Sequence, residues 1–230
     1  MGTFNQQIQF PVFYLSLLRF NYFYCVFLLF TSIMNFKKLL LLSLLFISVA
    51  AVAQNFDIDL LKSINVYRDK QLFWFFKFLT DSVSFIAYGV PVVFAGISVA
   101  RKNKNGSRKA IYILISVASA GIFSNVLKLI VHRQRPFITY PFIEKLSSGG
   151  GFSFPSGHTT DAFSMATAVC LLFPRWYVIV PMYIWAASVG YSRMYLGVHF
   201  PTDVLGGAIF ASSIAFLIYK TQYAPQLKRI

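Results

Sequence analysis

Three short groups of cationic and imidazole residues stand at the ends of apolar runs in the second half of this sequence. They are Lys128 with Arg135-Pro136, Pro155-Ser156-Gly157-His158, and Ser192-Arg193 with His199 and Asp203. Charged side chains beside a membrane core are costly and are usually kept for a function. Together the groups supply three cations, two imidazoles and one carboxylate. That inventory suits holding a phosphate group and attacking it.

Each group has its own logic and a plainer alternative. Lys128 and Arg135 are seven apart, about two helical turns, so they share a direction if the helix persists. Pro136 disfavours helical geometry at Arg135 and marks the helix end near there. Arg suits bidentate phosphate contacts and Lys acts as a point charge; the alternative is snorkelling toward lipid headgroups. In the second group, Ser156 is a suitable N-cap and Gly157 lets backbone approach a ligand closely. A helix start offers free N–H groups and a positive dipole end. His158 then stands beside a bound anion, placed to protonate a leaving oxygen; the alternative is simple capping. Asp161, one turn on, reads as complementing the dipole of the first turn. In the third group, His199 and Asp203 are four apart with Pro201 between them, so a turn feeding a helix is expected. A carboxylate on one ring nitrogen fixes the tautomer and frees the other nitrogen to attack; the alternative is a structural pair closing a loop. Gathered on one side, Lys128, Arg135, Arg193, the Ser156 hydroxyl and the Gly157 amide would surround a phosphoryl group. His199 would attack phosphorus to give a phosphohistidine, and His158 would protonate the departing oxygen. Fixed cations do what metal ions do in many phosphoryl transfers. No carboxylate cluster suits Mg²⁺, so no metal and no cofactor are expected.

The elements that must position these residues are membrane helices. Hydrophobic residues make up 57% of the chain and charged residues 12%, which excludes an ordinary soluble domain. The net charge of +14 is spread between apolar runs rather than gathered in one stripe, so a nucleic-acid partner is not expected. Cys25 and Cys170 both lie in apolar segments and suggest neither a disulfide framework nor a metal site. Residues 56–80 mix charges with aromatics and read as amphipathic interfacial helices. Spans are expected at about Ser82–Ala100, Ala110–Val131, Thr159–Phe173, Tyr177–Tyr191 and Val204–Tyr219. The third is short and should extend back into the motif before it. The loop 137–154, with Gly149-Gly150-Gly151, reads as flexible. The fold expected is all-α: a polytopic transmembrane helical bundle of five or six spans with amphipathic interfacial helices.

The amino terminus sets the uncertain span. Met34, Lys37-Lys38, the apolar run Leu39–Val49 and Ala51-Val52-Ala53 before Gln54 have the layout of a secretory signal peptide. Residues 1–33 then read as a start-site artefact or an extra hydrophobic segment, 34–53 as a signal or an uncleaved helix, 54–220 as the membrane domain and 221–230 as a cytoplasmic tail. The basic loop 101–109 should face the cytoplasm. Counting helices from it puts all three groups on the opposite side under either option.

The three groups match a known signature. K-x6-R-P, P-S-G-H and S-R-x5-H-x3-D stand at Lys128 to Pro136, Pro155 to His158 and Ser192 to Asp203, with no position missing. The chain resembles the type 2 phosphatidic acid phosphatase superfamily, a group that also holds vanadium haloperoxidases. The signature covers about Lys128 to Asp203, and the helical pattern extends the likeness over roughly Asp57 to Tyr219. The resemblance implies a helical-bundle lipid phosphate or diphosphate phosphatase in a bacterial inner membrane, with its site facing the periplasm. Undecaprenyl diphosphate, lipid A, phosphatidylglycerol phosphate and phosphatidic acid are the substrates it suggests. Two rivals remain: a vanadate-dependent haloperoxidase, and a non-catalytic lipid-phosphate binder or carrier. Nothing in the sequence fixes the oligomeric state.

Overall fold

Proline and glycine punctuation, with polar caps, cuts an otherwise continuous apolar chain into helices. The computed structural model describes residues 56–223, and all regular structure there is helical. The expectations for 1–33, 34–53, Cys25 and the tail beyond 223 lie outside these residues. Helix α1 covers 56–65. A 3₁₀ turn, Lys70–Leu72, opens on Asp69, whose side chain accepts from the Gln71 N–H at 2.9 Å. It leads into α2 (Phe73–Ser84), a π segment (Phe85–Gly89) and α3 (Val90–Ala100). Pro91 has no N–H to give the preceding turn, which is why the regular ladder widens there.

Helix α4 (Lys104–Val131) starts on Asn103, whose side chain caps the Gly106 N–H at 3.0 Å. It stops at His132, which takes the left-handed conformation, φ 52°. A single turn, α5 (Pro136–Thr139), follows. Then come α6 (Gly157–Leu172), α7 (Trp176–Tyr195), α8 (Pro201–Ile218) and a terminal π turn (Tyr219–Tyr223). As expected, α6 reaches back into the Pro155–His158 motif. The first expected span is longer than its pattern suggested, since the helix runs without a break from Lys70 to Ala100.

Helix α6 is the hub and packs on α2, α4, α7 and α8. All its buried positions but Met165 are small or polar: Thr159, Thr160, Ala162, Ser164, Ala166, Thr167, Ala168 and Cys170. Small side chains let neighbouring backbones approach, which is how helices associate where lipid offers no hydrophobic drive. The outer helices carry the opposite pattern, with Val92, Val93, Ile122, Leu129, Ile130, Ile184, Leu205, Ile209 and Leu217 exposed. Three stretches, Lys70–Ala100, Lys104–Thr139 and Pro201–Thr221, are long and apolar enough to cross a membrane. Aromatic side chains stand at both ends. Trp74 and Phe78 are exposed near the start of α2, and Trp176 and Tyr177 at the start of α7. Lys109 lies over the Phe173 ring at 4.5 Å, which puts the basic 101–109 loop at the α6–α7 turn, the end opposite His158.

Candidate active site

The end of α4 brings in the first cation. Lys128, on its last turn, gives its ammonium to the carbonyls of Phe152 (3.2 Å), Ser153 (3.4 Å) and Pro155. It thereby fixes the strap that leads into α6. Arg135 does not continue the α4 face. The left-handed turn at His132 reverses the chain, and Arg135 is extended (φ −78°, ψ 152°) in front of Pro136. The expected alignment by helical spacing is therefore replaced by a turn, because the helix does not persist past Val131. Arg135 is buried and spends its donors on three carbonyls: Nε on Gly151 (3.0 Å), Nη1 on Val198 (2.9 Å) and Nη2 on Gly150 (2.8 Å). The glycine stretch read as flexible is thus clamped by a guanidinium. A side chain on Gly149 would stand 2.9 Å from Arg135 Nη1, so it would displace the guanidinium from these carbonyls.

The second group begins α6. Ser156 is the N-cap residue and is fully buried, but its side chain does not cap the helix backbone. Its hydroxyl accepts from Thr159 Oγ1 at 2.8 Å, and its N–H donates to the Asp203 carbonyl at 3.0 Å. Gly157 is the first helical residue, and a Cβ added there would meet open space. His158, half-buried on the same turn, has its imidazole pushed down to about 4 by burial and then by Arg193, Arg135 and Lys128, with Asp81 opposing. Asp161 accepts from Tyr88 Oη at 3.1 Å, so its partner is the π segment between α2 and α3 and not its own first turn.

The third group closes the site. Arg193, in the last turn of α7, is 2% exposed. It donates to Thr80 on α2 and to the Ser148 carbonyl (3.2 Å), while its Nε is buried with no protein partner. Gly197, at φ +71°, turns the chain so that His199 faces Arg135, with His199 Nε2 3.3 Å from Arg135 Nη1. The other ring nitrogen, Nδ1, is 3.5 Å from Asp203 Oδ2, at the outer limit of a hydrogen bond. Asp203 is fully buried at the third position of α8, where Oδ2 also accepts the Phe200 N–H at 2.9 Å. Burial pushes the His199 imidazole down to about 3; Asp203 opposes that shift, while Arg193 and Arg135 add to it. The ring is therefore neutral at neutral pH, with Nδ1 facing a carboxylate and Nε2 facing cations.

Several participants carry no motif. Ser153 donates to Asp203 Oδ2 at 2.5 Å and lies 3.4 Å from His199 Nδ1. Arg133 reaches Asp203 Oδ1 at 2.7 Å and Asp57 Oδ2 at 2.7 Å. Thr202 adds a backbone N–H to Asp57 Oδ1 at 2.9 Å. Ser153 lies three residues before Ser156 and Arg133 two before Arg135, so nearness to the signature was the only sequence signal available. A groove of about 480 Å³, lined by Arg68, Lys70, Gln71, Trp74 and Glu144 among others, opens at this end of the bundle. A cavity of about 580 Å³ lined by Thr167, Cys170 and Tyr183 lies some 14 Å further along α6, away from these charges.

The sequence matches the PAP2 superfamily over residues 109–226. It is 30% identical to an undecaprenyl-diphosphatase of Sulfolobus acidocaldarius, over 84% of this chain and 92% of that protein. It is also 30% identical to a lipid A 1-phosphatase of Rhizobium etli, over 75% and 81% of the two chains. The crystal structure of a transmembrane PAP2-type phosphatidylglycerolphosphate phosphatase from Bacillus subtilis superposes with a TM-score of 0.63 at 27% identity, covering 80% of this chain and 98% of that one.

Proposed function

We propose, since the chain belongs to the PAP2 superfamily, that it is a membrane-embedded hydrolase that removes phosphate from a lipid phosphate or diphosphate. One observation carries the reading: a neutral, buried His199 has a carboxylate on one nitrogen and the guanidinium of Arg135 beside the other. With the Nδ1 proton directed at Asp203, the lone pair on Nε2 is free to attack phosphorus. The new bond is N–P, and the bond that breaks joins phosphorus to the lipid oxygen. His158, which the incoming phosphate dianion must first help to protonate because burial and Arg193 hold the free imidazole down to about 4, delivers the proton that this oxygen takes as it leaves. It then accepts a proton from the water that cleaves the N–P bond, releasing orthophosphate and restoring the His199 lone pair. Arg135, Arg193 and Lys128 supply positive charge to the phosphoryl oxygens, helped by Ser156 and the Gly157 amide at the start of α6. Arg193 Nε, buried and unpartnered, is a donor available for that purpose. With this much fixed charge the reaction needs no divalent metal.

The substrate class is the finer part of the reading. The relatives act on different lipids, as their names say, and share only a phosphate on a membrane anchor. The Trp-edged groove, where Lys70 stands beside an Arg68–Glu144 ion pair, suits the polar remainder of a headgroup at the lipid surface. The favoured setting is a bacterial inner membrane, with the site on the periplasmic side and the 101–109 loop in the cytoplasm.

The test is orthophosphate release by detergent-solubilised protein from undecaprenyl diphosphate, lipid A, phosphatidylglycerol phosphate and phosphatidic acid, with EDTA and with orthovanadate. Release from at least one lipid, lost in His199→Ala, blocked by vanadate and indifferent to EDTA, is expected. Release that persists in His199→Ala would remove the nucleophile. A wild-type protein that binds these lipids and cleaves none would make it a carrier instead.

A further inference from the structure

Arg133 stands outside the residues assigned to phosphate or to proton transfer, yet it touches both supports of the His199 ring. Its Nη1 is shared between Asp203 Oδ1 and Thr202 Oγ1, each at 2.7 Å. Its Nη2 goes to Asp57 Oδ2 at 2.7 Å. Its backbone carbonyl accepts the N–H of Ser153, also at 2.7 Å. The guanidinium lies 4.1 Å over the Phe200 ring, which fixes its plane. Asp203 and Ser153, the two neighbours of His199 Nδ1, are therefore both held by one residue.

The sharing between two carboxylates matters for direction. Asp203 is useful to His199 only while Oδ2 points at the ring. A guanidinium with both terminal nitrogens free prefers to grip one carboxylate with two parallel bonds. Such a grip on Asp203 would turn Oδ2 away from His199 and Ser153. Asp57 prevents this by holding Nη2, and the Thr202 backbone N–H anchors Asp57 in turn at 2.9 Å. Asp57 is 2% exposed and sits on the first turn of α1, 76 residues from Arg133 and 145 from Thr202 in sequence. An acidic residue this buried costs stability unless it is paired, and its pairing is spent entirely on this clamp.

We propose that Arg133 and Asp57 are positioning residues for the His199–Asp203 pair: Asp57, carried by the first helix, keeps the Arg133 fork split so that Asp203 presents one oxygen to the nucleophile. This rests on the phosphatase reading above. It assigns α1 a part in the chemistry through Asp57.

The test uses the full chain and the lipid of the four-lipid panel that the wild type hydrolyses fastest. Asp57→Asn, Arg133→Gln, Arg133→Lys and the Asp57→Asn/Arg133→Gln double variant are compared by kcat, KM and orthovanadate inhibition. Arg133→Gln should lower kcat about 100-fold with KM and vanadate affinity within about twofold, since a small misplacement of a reacting group costs that much. Asp57→Asn should lower kcat about tenfold, and Arg133→Lys should recover part of the Arg133→Gln loss. The double variant should be no slower than Arg133→Gln alone, because both act through one contact. If Arg133→Gln does not elute as a folded peak, the near-isosteric Asp57→Asn decides by the same split between kcat and KM. Unchanged kcat in Asp57→Asn, a loss carried by KM, or losses that multiply in the double variant would each overturn the proposal. Wild-type protein inert on all four lipids would instead overturn the phosphatase reading beneath it, and is seen in a separate arm.

Discussion

At His199, burial and charge pull in opposite directions. Burial lowers the imidazole to about 3 from its ordinary 6.5, and Asp203 recovers only part of that shift. The folded protein thus refuses a proton that the unfolded chain accepts below about pH 6.5. Stability contributed by the neutral ring is complete above that value and is lost as pH falls toward the folded value, at up to about 1.4 kcal/mol per pH unit. The apparent melting temperature in detergent should fall between pH 6.5 and 4.5, and His199→Gln should flatten that fall. An equal slope in the variant would show that other groups carry the acid sensitivity. Ser153 belongs to the same balance. Its hydroxyl takes the Asp203 oxygen nearest the ring at 2.5 Å, so Asp203 stays an acceptor with little freedom to turn.

Among the elements, the connection from α7 to α8 bears the tightest constraint. Gly197 adopts φ +71°, and a Cβ there would run into the Glu144 carbonyl and approach Asn65 Nδ2 at 2.8 Å. Asn65, fully buried at the end of α1, donates to the carbonyls of Tyr195 (2.9 Å) and Glu144 (3.1 Å). The turn that aims His199 is thus wedged between α1 and the 144–146 segment. Gly197→Ala should destabilise by at least the ~1–2 kcal/mol of a left-handed residue with a side chain. It should also lower phosphate release, because the ring two residues on must shift. A variant with wild-type melting temperature and activity would mean that the turn relaxes freely. The short α6 follows a different logic: neighbours surround it on every side, so it carries small and polar residues where the lipid-facing helices carry Ile, Leu and Val.

For the molecule as far as residues 56–223 describe it, the proposed site lies at one end of the bundle and the densest basic loop at the other. With the proposed orientation, a cysteine at Lys145 in a Cys25→Ala/Cys170→Ala background should react with a membrane-impermeant maleimide in intact cells, and one at Asn105 only after lysis. The reverse pattern would put the site in the cytoplasm. The sequence alone was enough for an all-helical membrane fold and for the signature motif, although of the five spans expected only three stretches among the described residues are long and apolar enough to cross a membrane. Helices are local, their caps and breaks are written in Asn103, Pro136 and Pro201, and a bilayer admits a chain of this hydropathy chiefly as helices. The sequence could not reveal which acceptors the buried cations would take. Lys128 and Arg135 looked like helix neighbours, but His132 ends the helix and the two meet the 150–155 strap from different directions. Asp57, Ser153 and Arg133 gave no motif, yet they hold Asp203 in place. A buried charge pairs with whatever complementary groups the packed fold leaves beside it, and across the 76 residues of chain that separate Asp57 from Arg133 only the tertiary structure decides which groups those are.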